Sequence, residues 1–125
     1  MPARVLIADD NYGYRNFLRG LVQSQQDLSV VGCAADAHEV KELATSLEPD
    51  VLVLSMGLPP EGGLEVCRWV KAAAPRIRVV MTCEASGTAY ETAARNALAD
   101  AFIDKGAEVS KILDAVRIRS SAATS

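Results

Sequence analysis

Three features of the 125-residue chain predict a doubly wound α/β domain. Short apolar runs alternate five times with amphipathic segments, as in a parallel sheet covered by helices on both faces. An apolar content of 50% suffices for one well-formed core at this length and leaves no room for a second folded unit. Acidic, hydroxyl or basic residues close several of the apolar runs, at the carboxyl ends of strands where open α/β sheets bind ligands.

The first strand is expected at Arg4–Ala8, running into Asp9-Asp10. Tyr14, Phe17, Leu18, Leu21 and Val22 then fall on one helical stripe. A second strand is read at Ser29–Ala34. Asp36 followed three residues later by Glu39 forms a capping box, opening a helix with the stripe Val40, Leu43, Ala44 and Leu47. Pro49 marks that this helix has stopped, and Val51–Ser55 reads as a buried strand entering the loop Met56-Gly57-Leu58-Pro59. A third helix carries Trp69 and has ended by Pro75, before a strand at Ile77–Thr82. The fifth strand is expected at Ala101–Asp104, followed by Lys105, and Ile112, Leu113 and Val116 stripe the last helix. Each stripe can face the sheet, but periodicity does not set the strand order. The domain is expected to span residues 1–119, with the polar residues 120–125 fraying or opening a linker.

Composition narrows the function classes. No run of about 18 apolar residues exists, and Met1-Pro2-Ala3-Arg4 leads straight into a strand. A cytoplasmic domain without a membrane partner is therefore expected. Cys33, Cys67 and Cys83 are odd in number and lack metal-type spacing, which favours reduced thiols over a disulfide framework or a zinc site. A net charge of −3 argues against direct nucleic-acid binding.

Asp9, Asp10, Ser55, Thr82 and Lys105 all fall at strand ends, with Pro59 and Gly63 spaced behind Ser55. This set resembles the receiver domain of bacterial response regulators over essentially the whole chain. Segments such as Gly62-Gly63-Leu64-Glu65-Val66 look most like receivers attached to helix-turn-helix output domains. The resemblance implies a flavodoxin-like (βα)5 fold with strand order 2-1-3-4-5 and a place in two-component phosphorelay signalling, including transcription regulation. In that family an aspartate on the third strand accepts a phosphoryl group from a phosphohistidine; here the position holds Ser55. Asp9, Asp10, the acceptor and the carbonyl of Gly57 would hold Mg²⁺. Lys105 would pair with the acceptor, Thr82 would donate to the phosphoryl group, and Phe102 would be the aromatic whose rotamer follows it. Taken singly these residues are ordinary: a helix-N-terminal acid pair, a strand-end hydroxyl and a core aromatic. With Ser55 in place, a structural ion pair of Lys105 with the two acids becomes the expected role.

A serine hydroxyl needs a base before it can attack phosphorus, and its oxygen lies about 1.4 Å nearer the backbone than an aspartate's. Misplacement by about 1 Å can cost roughly a hundredfold. An atypical receiver follows, with no catalytic residue, weak or absent Mg²⁺ binding, and signalling by protein contact. The resemblance implies a signalling face of Thr88–Leu98, Ala101–Asp104 and Val109–Arg119, with a homodimer, an output domain or a histidine kinase as partner. An enzyme using Ser55 as nucleophile and Lys105 as base is the alternative, though the first glycine of G-x-S-x-G is absent. A receiver whose aspartate has been replaced is the other. An FMN carrier is disfavoured by the acidic, glycine-poor loop Asp9-Asp10-Asn11-Tyr12. Gly106 replaces the proline common after the lysine, so a trans peptide is expected there. Cys83 is expected to be a small buried hydrophobe beside the pocket rather than a redox sensor, His38 solvated, and Trp69 a packing residue rather than a ligand platform.

Overall fold

The computed structural model describes residues 1–117. Five strands and five helices alternate: β1 Ala3–Ala8, α1 Tyr12–Gln23, β2 Leu28–Ala34, α2 Ala37–Leu47, β3 Val51–Ser55, α3 Gly63–Ala73, β4 Arg78–Cys83, α4 Thr88–Asn96, β5 Ala101–Asp104 and α5 Val109–Val116. The strands form one parallel sheet in the order β2-β1-β3-β4-β5, as expected. Because the crossovers cover both faces, the central strands are apolar apart from residues at or near their ends, and all five residues of β3 are buried.

Side chains alternate between two cores. Val5, Ile7, Val51, Val53 and Val80 pack on one face with Leu18 and Val22 of α1 and Ile112, Leu113 and Val116 of α5. Leu6, Ala8, Leu52, Leu54, Val79 and Met81 pack on the other with α2, α3 and α4, and Phe102 joins them. The expected stripes face the sheet except at Phe17, which is 44% exposed and rests against the Tyr14 ring at the edge of the stripe.

The boundaries differ in physically readable ways. β4 runs from Arg78 to Cys83 rather than from Ile77 to Thr82. Ile77 is fully buried, but its N–H donates to the Ala74 carbonyl at 3.0 Å, which keeps it in the turn leaving α3. β1 and β2 each start one residue earlier than expected, at Ala3 and Leu28, because these two residues already pair across the strands. The Asp36 carboxylate accepts from the Glu39 N–H at 2.9 Å, while Glu39 reaches back to the Ala35 N–H at 2.7 Å, one residue before the usual capping-box partner. α4 stops where Leu98 takes a left-handed φ of 75°. Residues 118–119, the expected end of the domain and of the signalling face, and the tail 120–125 lie outside the described residues.

Candidate functional site

The alternation that builds the two cores also assembles the site. Continued one step past the core residues Ala8, Leu54 and Met81, it places Asp9, Ser55 and Thr82 on the α1/α5 side of the sheet, and two steps past Ile103 it places Lys105 there too. Ser55 and Thr82 are direct register partners, and the Met56 N–H donates to the Thr82 carbonyl at 2.8 Å. Lys105 lies just beyond β5, and its N–H bonds the Cys83 carbonyl at 2.9 Å, which carries the strand pairing into the site. The same alternation sends Phe102 to the opposite face, half-buried against α4 and away from the cleft.

A cleft of about 400 Å³ opens here, lined by Asp10, Ser55, Gly57, Glu84, Lys105 and Cys83 among others. Asp9 does not line it. Only 1% exposed, it lies beneath, where its Oδ1 accepts from the Asn11 N–H at 2.9 Å. Lys105 Nζ approaches Asp9 Oδ2 at 2.8 Å and the exposed Glu84 carboxylate at 3.8 Å. The short contact to Asp9 is off the direction that an aligned hydrogen bond requires, so it acts chiefly as charge against charge. Asp10 is exposed at the rim and makes no ion pair with Lys105 among the described residues, so of the two acids expected to hold the lysine only Asp9 does.

Tyr14, read from the sequence only as part of a core stripe, closes this corner. Its ring centroid is 5.0 Å from Lys105 Nζ, within cation–π range. Burial, with the nearby charges of Asp9 and Asp104, pushes its phenol up to about 12. Tyr14 Oη, Thr82 Oγ1 and Asp9 Oδ2 are buried and find no hydrogen-bond partner within the protein. Glu84 was missed as well. It belongs to no motif and reaches the cleft only because β4 extends one residue past Thr82.

The loop behind Ser55 is held by backbone contacts. The Gly63 N–H donates to the Met56 carbonyl at 2.7 Å, and a Cβ on Gly63 would meet the Ser55 carbonyl oxygen and come within 2.8 Å of Met56 Cα. Glycine is required by this close approach. The only cis peptide among the described residues joins Pro59 and Pro60, so the Lys105–Gly106 bond is trans, as expected. Cys83 is 8% exposed, with its Sγ 3.8 Å from Met56 Sδ. His38 is solvated, facing Glu42 at 3.4 Å.

No group of three or more His, Cys, Asp or Glu side chains converges among the described residues. The oxygen set in and beneath the cleft is one buried carboxylate tied to a lysine, the exposed carboxylates of Asp10 and Glu84, a hydroxyl and the Gly57 carbonyl, and its carboxylates do not converge on one point. Magnesium prefers octahedral oxygen ligation with anionic ligands, and this set does not fit it well.

A family model described as "Response regulator receiver domain" matches residues 5–117. The chain is 36% identical over 104 residues to a protein-glutamate methylesterase/protein-glutamine glutaminase of Thermotoga maritima, covering 82% of this chain and 30% of that protein. It is 30% identical over 114 residues to the response regulator GacA of Pseudomonas aeruginosa, covering 91% of this chain and 53% of that one. It thus spans about a third to a half of the length of these curated relatives. A crystal structure of a LuxR-family two-component response regulator from Aurantimonas superposes with a TM-score of 0.86 at 27% identity, covering 91% of this chain and 81% of that one. No helix among the described residues is long and apolar enough to cross a membrane. With the strand order and the family match in agreement, the chain belongs to the response regulator receiver domains of two-component systems.

Proposed function

We propose that this receiver signals by protein contact and does not depend on aspartyl phosphorylation. The observation that carries the reading is at the end of β3. Ser55 presents a hydroxyl where the family has its acceptor carboxylate, while Lys105 is engaged with Asp9 instead. An unactivated hydroxyl is a poor nucleophile, and Lys105, drawn to Asp9 at 2.8 Å, makes no hydrogen bond to the Ser55 hydroxyl among the described residues. The domain is accordingly a binding module rather than an enzyme, and Ser55 is not a catalytic residue. Mg²⁺ binding is weak or absent, because a carboxylate is missing from the set that would hold the ion.

Without a phosphoryl group, the population of the binding-competent state is set by the resting conformational energies and by the partner that favours it. The partner, whether a second copy, an output domain or a histidine kinase, is met constitutively on the α4–β5–α5 face, in the cytoplasm. A relative named as a transcriptional regulatory protein supports transcription control as the downstream output of the whole protein. The test is intact-protein mass spectrometry after incubation with acetyl phosphate and Mg²⁺. No adduct is expected, and a stoichiometric acid-labile adduct would overturn the reading.

A further inference from the structure

A groove of about 440 Å³ opens at the carboxyl end of β2, across β1 from the Ser55 cleft. Tyr12, Arg15 and Arg19 of α1 line it together with Cys33, Ala35 and Glu39 from the end of β2 and the start of α2. Strand carboxyl ends are where open α/β sheets take their ligands. Arg68, Arg76, Arg95 and Arg117 each meet a carboxylate, whereas neither Arg15 nor Arg19 forms an ion pair among the described residues. We infer that the groove binds a small phosphate monoester.

The two guanidiniums are placed at a cost that an anion would offset. Arg15 and Arg19 stand four apart on one helix, a like-charge spacing that destabilises it. Arg15 is also the fourth residue of α1, toward the positive end of the helix dipole, and no acidic residue lies in that first turn. Both charges reach the groove wall: burial pushes the Cys33 thiol up, and Arg19 and Arg15 pull it back down. Arg15 is fixed in advance, since its Nη1 donates to the Asp9 carbonyl at 2.6 Å and its guanidinium lies 5.5 Å from the Tyr12 ring centroid. Its other N–H groups stay available, and Arg19 is bonded only to the Asn16 side-chain oxygen, at 3.1 Å. Little ordering entropy is then lost on binding. Glu39 is the one acid in the lining, and its carboxylate is held by the Ala35 N–H at 2.7 Å, so two arginines against one glutamate leave a net charge of +1. A carboxylate presents two oxygens in one plane, which a single guanidinium fork satisfies. Two forks suit the three terminal oxygens and nearly double charge of a phosphate monoester. The exposed Tyr12 ring gives its organic part an apolar surface to lie on. This assignment goes beyond the receiver reading and does not rest on it.

The probe is phenyl phosphate, titrated without Mg²⁺ into the full chain and followed by amide chemical shifts. Saturable shifts should centre on Arg19, Cys33 and Ala35 and leave Ser55 and Gly57 unmoved, and affinity should fall as salt is raised. Benzoate, with less charge and one oxygen fewer, should bind at least about tenfold more weakly. Arg19 is exposed, so Arg19→Gln removes one guanidinium without disturbing the core. It should weaken phenyl phosphate binding by about tenfold or more, the effect of a lost charge-assisted contact. Arg68→Gln, the same change of charge on the exposed face of α3, should leave the affinity unaltered. Non-saturable shifts, shifts centred on Ser55, or benzoate binding as tightly as phenyl phosphate would overturn the assignment. So would an affinity unchanged in Arg19→Gln, or an equal loss in both variants, since that pattern belongs to unspecific charge attraction.

Discussion

At the end of β3, Ser55 carries neither the charge nor the reach of an aspartate. Lys105 is 11% exposed along its side chain and is held between the Asp9 carboxylate and the Tyr14 ring, an arrangement that needs no carboxylate at position 55. Ser55→Asp should nevertheless restore an anionic trio with Asp9 and Asp10. A unit charge about 4 Å from a divalent ion is worth several kcal/mol at an effective dielectric near 20, so Mg²⁺ affinity should rise by at least about tenfold. Isothermal titration of both proteins measures this, and equal affinities would place the defect beyond Ser55. Tyr14 supplies a second test. Its phenol is raised to about 12, so the folded state holds that proton more tightly than the unfolded chain does. The associated stability is therefore complete below the ordinary tyrosine range near 10 and is lost as pH climbs from about 10 to 12. Tyr14→Phe should flatten the fall in stability over that window. It should also remove from the ultraviolet titration the phenolate signal that appears near pH 12. The strand-end residues were legible because they end apolar runs of fixed period. Tyr14 and Glu84 were not, since a ring resting on a lysine and a carboxylate one residue past a strand leave no periodic trace.

At the scale of elements, α3 is the one on which the site most depends. It has no side-chain cap at its N-terminus; Gly62, at φ 95°, turns the chain so that Gly63 can sit against the loop from Ser55. The fit admits no Cβ, since the atoms met are backbone and cannot rotate away. Gly63→Ala should cost about 1–3 kcal/mol, as overpacking does elsewhere, and urea unfolding would measure it. Stability unchanged within about 0.5 kcal/mol would show that the loop yields without strain. The sequence makes this contact partly readable, because Gly63 follows Ser55 at a set spacing, but it does not say what the glycine touches. Element types and order were legible from period and proline placement. The start of β4 was not, because Ile77 is as apolar as a strand residue and only its hydrogen bond to Ala74 assigns it to the turn.

For the whole molecule, strand order came from resemblance rather than periodicity, since any arrangement of five apolar strands satisfies the alternation. The same holds for the proposed signalling face, where Tyr90, Leu98 and Val109 are exposed on or beside α4 and α5 at 44%, 60% and 44%. Aromatic and aliphatic side chains of this kind supply the centre of protein interfaces, with charges at the rim. Arg117 is a poor probe of that rim. Its guanidinium donates to Asp27 at 2.8 Å and to Gln25 at 2.9 Å, pinning the end of α5 to the approach to β2. That pairing holds the Asp27 carboxyl below its usual range, so reversing Arg117 would disturb the fold as well as the surface. Lys111, exposed in the first half of α5, is the cleaner choice. Reversing a rim charge chiefly slows encounter and makes binding more salt-sensitive, so Lys111→Glu should weaken association several-fold without changing thermal stability. Light scattering or pull-down, with and without acetyl phosphate, measures the effect. The same association in both conditions for the unaltered chain, and a loss only in the variant, is the expected result. Association that appears only with the phosphodonor would mean that the pocket still switches despite Ser55.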